Sequence, residues 1–328
     1  MLIHGQRCWS LRAKSAATGR ACVRRRRSAG APPLNRATIR RVSEPRFYCP
    51  ALAVGVVTLD ETETRHALAT LRLRPGDRLV VFDGQGRVGK ARLLDQDRPS
   101  AAQPSPGDGP RNRRARHTGG LRGKAHAHVS VETVLSVPPP TRRLTLIVAP
   151  AKGPRLDWMV EKCTELGVDR LLLTAFERSV VRLEAAAAER LRRIAIAACK
   201  QSRRAWLPEL CVAPTLAAAL GPDESRGPGE WEGIVTAIGQ APRTVVLGAA
   251  LLVADPDESA AFLAAWLHSH GPPAAHLTVV IGPEGGLTAT ERERLRAAGG
   301  QTVRLAEPIL RTETAAVSVA ANWAARAH

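Results

Sequence analysis

The stretch Leu277-Thr-Val-Val-Ile281-Gly-Pro-Glu284-Gly-Gly286-Leu-Thr288-Ala-Thr-Glu291 decides how this chain is read. Its first five residues have the character of a buried strand and then break into Gly282-Pro283-Glu284-Gly285-Gly286. Thr288-x-x-Glu291 opens a helix as a capping box. A tight strand-to-helix turn needs one glycine. Three glycines around an acid expose backbone N–H and C=O groups and let a ligand approach the main chain.

The next unit repeats the pattern: a strand over Thr302–Leu305, an irregular loop Ala306–Arg311, and a helix from about Thr312 to Arg326. Thr312 suits the N-cap, and Glu313 suits a first turn, where the helix dipole favours an anion. Arg311 falls at the C-terminal edge of the sheet, where open α/β folds bind ligands. Upstream the alternation is the same: strand Leu144–Ala149, helix Arg155–Leu166, strand Arg170–Ala175, helix Glu184 to about Ser202, and a further helix over Ala261–His268. A parallel α/β domain over 141–328 is expected. The stretch from Gly221 to Gly248 shows no clear unit.

Ahead of it, short apolar runs at Val54–Leu59, Arg78–Phe82, Val88–Leu94 and His128–Val137 predict a small β domain over 45–138, with a helical stretch Thr62–Leu71. Pro138-Pro139-Pro140 marks the boundary between the two domains. Gln96–Ala127, rich in Pro, Gly, Arg and His, reads as a loop inserted between two strands. Gly84-Gln85-Gly86-Arg87-Val88-Gly89 satisfies the dinucleotide pattern, but the residues after it predict a strand, so a hairpin turn is expected instead.

The formal net charge is +18, and its location matters more than its size. Residues 1–43 hold eleven Lys/Arg and no acid, and 96–128 hold seven Lys/Arg against two Asp, so the rest is nearly neutral. That excludes a uniformly basic, histone-like protein. The leader, 1–44, contains no packable apolar pattern and is expected to be disordered. Its Arg- and Ser-rich composition fits either an organellar transit peptide or an upstream start codon, so a cytoplasmic or an organellar location is open. No apolar run approaches the length of a membrane span, and the six cysteines lack any C-x-x-C pair, so neither a membrane nor a metal is expected.

Ile281–Gly286 followed by Ile309-Leu-Arg-Thr-Glu-Thr-Ala315 resembles the C-terminal signature of the 16S ribosomal RNA uridine N3-methyltransferases, a family of the knotted SPOUT superfamily. Lys152-Gly153, Glu161–Val168, Glu177-Arg-Ser-Val180 and Gln201-Ser-Arg-Arg204 resemble its other blocks in order. Arg46-Phe47-Tyr48, His66, Leu71-Arg72 and Gly76-Asp77 resemble its N-terminal PUA-like RNA-binding barrel. Where the family has an acid, a small residue and a Leu-Gly pair, this chain has Lys200, Arg203 and Leu305-Ala306.

The resemblance implies an α/β SPOUT domain with a deep trefoil knot behind a PUA-like β-barrel, working as a homodimer on 16S rRNA or the small ribosomal subunit. It implies S-adenosylmethionine, held by Ile281, Gly282, Pro283, Gly285, Gly286, Leu305, Ala306, Ile309 and Leu310. The activity implied is methylation of uracil N3, with another RNA position as the alternative, because the donor site is better specified than the acceptor. At N3 the reaction needs proton removal and stabilisation of charge on the flanking carbonyls. Arg311 is expected to stabilise the uracil anion, with Glu313 or Glu284 assisting proton loss. Arg46, Arg72, Arg178 and Arg203 are candidate phosphate contacts, each with an ordinary solvated charge as the alternative.

Overall fold

The computed structural model describes residues 44–94, 126–181, 185–220, 250–270 and 276–326. Two sheets divide them. The first is built from β1 (Arg46–Tyr48), β2 (Gly55–Thr58), β3 (Arg78–Phe82), β4 (Arg87–Leu93) and β5 (His128–Ser136), in the order β1-β3-β4-β5-β2. Only the β1/β3 pairing is parallel. Alternate residues of these strands bury Phe47, Leu79, Val81, Ala91, Leu93, Val129 and Val131 in one core, as a period of two requires.

The helix expected over Thr62–Leu71 is in fact α1 (Glu61–Arg65) continued by a π-helical turn over His66–Thr70. Asp60 starts it, accepting the Glu63 N–H at 2.7 Å. The glycine pattern at 84–89 lies in the β3–β4 hairpin, with Gly84 and Gly86 both at positive φ. Most of the 96–127 insertion lies outside the described residues, but its last residue, Ala127, is buried in the first sheet's core and bonded to Leu59.

The second sheet has seven parallel strands in the order β10-β12-β9-β11-β6-β7-β8. They are β6 (Arg143–Val148), β7 (Arg170–Thr174), β8 (Glu209–Ala213), β9 (Ala250–Ala254), β10 (Ala261–Phe262), β11 (His276–Ile281) and β12 (Gln301–Arg304). The helices are α2 (Pro154–Glu165), α3 (Ala185–Ser202), α4 (Leu216–Leu220), α5 (Leu263–Ser269), α6 (Ala289–Ala297) and α7 (Thr312–Ala324). The central strands are buried on both faces, which is why they read as continuous apolar runs. Leu144, Leu146 and Val148 pack on one side with Met159 of α2 and Val319 of α7, while Ile147 packs on the other with Leu216 of α4 and Leu295 of α6. Each such Leu or Ile contributes ~1.5–3 kcal/mol by burial.

Two expectations are corrected here. Ala261–His268 is not one helix: Ala261 and Phe262 pair with β12 before α5 begins. Thr312 is not the N-cap of α7, a place Arg311 takes with extended backbone, because the Thr312 hydroxyl donates instead to the Gly282 carbonyl at 3.2 Å. Strands β1, β8 and β9 have no counterpart among the expected runs.

The chain crosses from the first sheet to the second at Pro138–Pro140, and the two pack directly. Leu207 N–H donates to Gly84 O at 2.9 Å, and Gly86 N–H donates to Ala205 O at 3.1 Å. A side chain at Gly84 or Gly86 would collide with Leu207 or Trp206, each 2.4 Å from the added carbon. Close backbone approach, not phosphate binding, explains those glycines.

Candidate active site

Three neighbouring strands, β12, β9 and β11, end side by side at the carboxyl edge of the second sheet, and each releases a loop there. The loops 254–256, 281–287 and 305–310 line one cavity of about 300 Å³. All nine residues expected to hold a cofactor line it, Ile281 to Gly286 on one wall and Leu305 to Leu310 on the other, and Glu284 joins them.

The glycine loop keeps its shape through contacts that the sequence specifies. Gly286 has φ +70° and donates to Pro283 O at 2.9 Å, closing the turn. A Cβ on Gly282 would stand 2.9 Å from the Leu287 side chain, and one on Gly285 would stand 3.1 Å from Arg178. Glu291 completes the expected capping box: its carboxylate accepts Thr288 N–H at 2.9 Å, and its own N–H donates to Thr288 Oγ1 at 3.2 Å. The same carboxylate, buried, accepts Glu177 N–H at 2.8 Å, and so ties the 176–180 loop to the start of α6. Arg178, expected as a phosphate contact, donates to Gly285 O at 3.0 Å from that loop.

The loop after β9 was not foreseen. Asp255 lines the cavity and accepts two bonds from Arg292 at 2.9 and 3.1 Å, while Arg292 also donates to Leu287 O at 2.9 Å. The only available signal was Leu251-Leu-Val253 running into Asp255-Pro256. With 221–249 showing no period ahead of it, so short a run could not be assigned. Thr312 and Ala315 of α7 also line the cavity.

The three candidate catalytic residues separate. Glu284 is exposed on the cavity's glycine loop. Arg311 is exposed at the mouth of the second loop, does not line the cavity, and makes no side-chain hydrogen bond or ion pair among the described residues. Glu313 points elsewhere: it is buried, with Oε1 3.7 Å from Arg155 Nε of α2 and Oε2 without a hydrogen bond.

The remaining arginines also differ. Arg46 is half-buried, sits 5.0 Å over the Phe82 ring and donates to Arg204 O at 3.3 Å, so its fork faces inward. Burial lowers its pKa. Arg72 and Arg203 are exposed at positive φ, 55° and 62°. Cys163 and Cys211 have thiol pKa values pushed up to about 12, both by burial first, and Cys199 to about 11 likewise. Inert packing thiols are the result.

A family model described as an RNA methyltransferase domain matches residues 138–324, and one described as an RNA methyltransferase PUA domain matches 59–101. The chain is similar to "Ribosomal RNA small subunit methyltransferase E" of Mycobacterium bovis, with 29% identity over 82% of this chain and 87% of that one. Its fold is similar to that of the Neisseria gonorrhoeae protein of the same name, solved bound to S-adenosyl methionine, with TM-score 0.60, 28% identity, and 85% and 95% of the two chains covered. It is also similar to a probable rRNA-methyltransferase from Porphyromonas gingivalis, with TM-score 0.61, 29% identity, and 84% and 95% covered.

Proposed function

The chain belongs to the RNA methyltransferase family, and from that premise we propose that it transfers a methyl group from S-adenosylmethionine to N3 of a uridine in small-subunit ribosomal RNA. The observation that carries this reading is the cavity at the ends of β9, β11 and β12, with an uncommitted arginine beside it. The N3 position rests on the resemblance of the Ile281–Gly286 and Ile309–Ala315 motifs.

The residues present fit the cofactor. Ile281, Leu287, Leu305 and Leu310 give an apolar surface suited to a purine ring, and the two loops offer main-chain groups for its polar edges. Gly286 leaves open space where a side chain would stand. When bound, S-adenosylmethionine supplies an electrophilic methyl group on a sulfonium. The protein supplies position and charge. Arg311 stabilises the negative charge that develops on the uracil carbonyls as N3 loses its proton, a role its permanent charge and planar fork suit. Glu284, exposed on the glycine loop, accepts that proton or orients the base. Glu313, held beside Arg155, is better placed to support the first turn of α7 than to meet substrate.

RNA is gripped by the PUA domain and by exposed arginines, of which Arg72 and Arg203 make no side-chain hydrogen bond or ion pair among the described residues. The knot, the homodimer and the division into a leader, a barrel and a catalytic domain belong to the same proposal. Among the described residues no helix is long and apolar enough to cross a membrane. The enzyme works where its ribosomes are, in the cytoplasm, or in an organelle if residues 1–43 are a transit peptide.

Arg311→Ala tests the assignment. Turnover should fall by about 10²-fold or more while cofactor affinity stays within about threefold, a change of under 1 kcal/mol. Unchanged turnover would remove Arg311 from the mechanism.

A further inference from the structure

Strand β11 has a cavity at each end. Ile281 lines the one described above; His276, roughly 17 Å away at strand spacing, lines a second, of about 700 Å³. The second cavity opens at the amino edge of the sheet, where α/β folds do not ordinarily bind ligands. It exists because the first sheet docks there: Tyr48 and the Asp83–Gln85 hairpin face the strand starts at Arg143, Arg170, Glu209 and His276.

Its charges are not all balanced by one another. Asp83 accepts the N–H groups of Gln85 and Arg87 at 2.7 and 3.0 Å. Asp169 accepts Leu144 N–H at 2.9 Å and faces Arg204 at 3.9 Å. Glu209 pairs with Arg170 at 2.7 Å. All three carboxylates therefore have partners, whereas Arg143 and Arg192 form no ion pair among the described residues. Arg192 donates once, to the Tyr48 hydroxyl at 2.8 Å, with its guanidinium 5.2 Å from the centre of the same ring, and makes no further side-chain hydrogen bond or ion pair among the described residues. The side chain of Arg143, exposed, makes no hydrogen bond or ion pair among the described residues, although its charge is near enough to favour the ionised form of Asp169.

The same cavity has an apolar part. Trp206 is fixed by Nε1 donating to the Val137 and Pro138 carbonyls, both at 3.1 Å, and Pro139, Pro140 and Pro208 continue its surface. Guanidinium groups with unused donors in one cavity with an indole and prolines are the combination that a phosphate carried on a flat base requires.

We propose that this cavity is a nucleotide-binding site, its phosphate taken by Arg143 and Arg192 and its base laid against Trp206 and the prolines. The proposal uses no residue of the methyl-transfer site and does not depend on it. The nucleotide is either one unit of a bound RNA strand or a free mononucleotide.

Two measurements on the full-length protein separate these sources, using the wild type, Arg143→Gln and Arg143→Lys. Equilibrium dialysis reads binding of UMP, and filter binding of a single-stranded RNA over a salt series reads the number of phosphates contacted. Arg143 is exposed and its side chain makes no hydrogen bond or ion pair among the described residues, so both variants should keep the wild-type melting temperature within a few degrees. For a free nucleotide, UMP binding weakens about tenfold in Arg143→Gln, recovers in Arg143→Lys, and the RNA salt slope is unchanged. For an RNA unit, the slope of log K against log salt falls by about 0.7 in Arg143→Gln. A folded Arg143→Gln protein that matches the wild type in both UMP affinity and salt slope overturns the proposal.

Discussion

Arg203 shows how one residue can carry two opposed demands. It holds φ 62°, a conformation in which a non-glycine residue costs ~1 kcal/mol, and its exposed side chain makes no hydrogen bond or ion pair among the described residues to offset that cost. Arg203→Gly should raise stability by ~0.5–1 kcal/mol in denaturant unfolding. If Arg203 is a phosphate contact, the same variant should flatten the salt dependence of RNA binding; stability gained with the slope unchanged would leave it a plain surface charge. His276 provides a second single-residue test. Burial, then the charges of Arg170 and Arg143, hold its pKa below the ordinary 6.5. A depressed histidine contributes stability that is present above the unfolded pKa and lost as pH falls through the folded one. Arg143→Gln should therefore raise the His276 midpoint in an NMR titration, and an unmoved midpoint would mean the two do not interact.

The element that organises the active site is the capping box at the start of α6, and its sequence signature was complete: Thr288 and Glu291 at the right spacing after a strand and a glycine loop. Not legible was the second task of Glu291, because its bond to Glu177 N–H spans 114 residues and no local pattern encodes it. Glu291→Ala leaves that N–H and the Thr288 N–H without their acceptor, and should cost ~2 kcal/mol. Cofactor affinity should fall with it, since the 176–180 loop and the glycine loop lose their tie. Wild-type affinity in a folded Glu291→Ala protein would show that the loop holds its shape unaided. Arg178 belongs to the same network. It is exposed, as an RNA contact would be, and its bond to Gly285 O gives it a positioning role that its place in the sequence does not reveal. The loop after β9 escaped notice for a different reason, as five strand residues after a long stretch without period resemble many turns.

At the scale of the whole chain, the α/β character was legible from strand-helix alternation, and the arrangement of the two sheets was not. What joins them includes Lys200, which departs from the family pattern. Its ammonium lies 2.7 and 2.9 Å from the carboxylate oxygens of Glu63 and 5.3 Å over the Phe47 ring, so a residue of α3 is paired inside the first sheet's domain. Burial raises the Glu63 pKa above 4.5, and Lys200 opposes that rise. A raised carboxyl favours folding most below the unfolded pKa, and that contribution is lost as pH rises through the folded one. Lys200→Met removes the opposing charge, so it should cost ~3 kcal/mol at neutral pH, and the deficit should shrink in acid as Glu63 takes a proton. A deficit that did not vary with pH would mean Lys200 acts by packing alone. The +18 lies mostly in residues 1–43 and 96–128, whereas the proposed methyl-transfer chemistry calls on single arginines in the nearly neutral remainder. The central claim is methylation of small-subunit rRNA at uracil N3. Its most direct test incubates the purified protein with S-adenosylmethionine and unmodified small ribosomal subunits, then digests the rRNA for nucleoside mass spectrometry. The account predicts 3-methyluridine appearing with wild-type protein and not with Arg311→Ala; a methyl group found on any other nucleoside, or none at all, would contradict it.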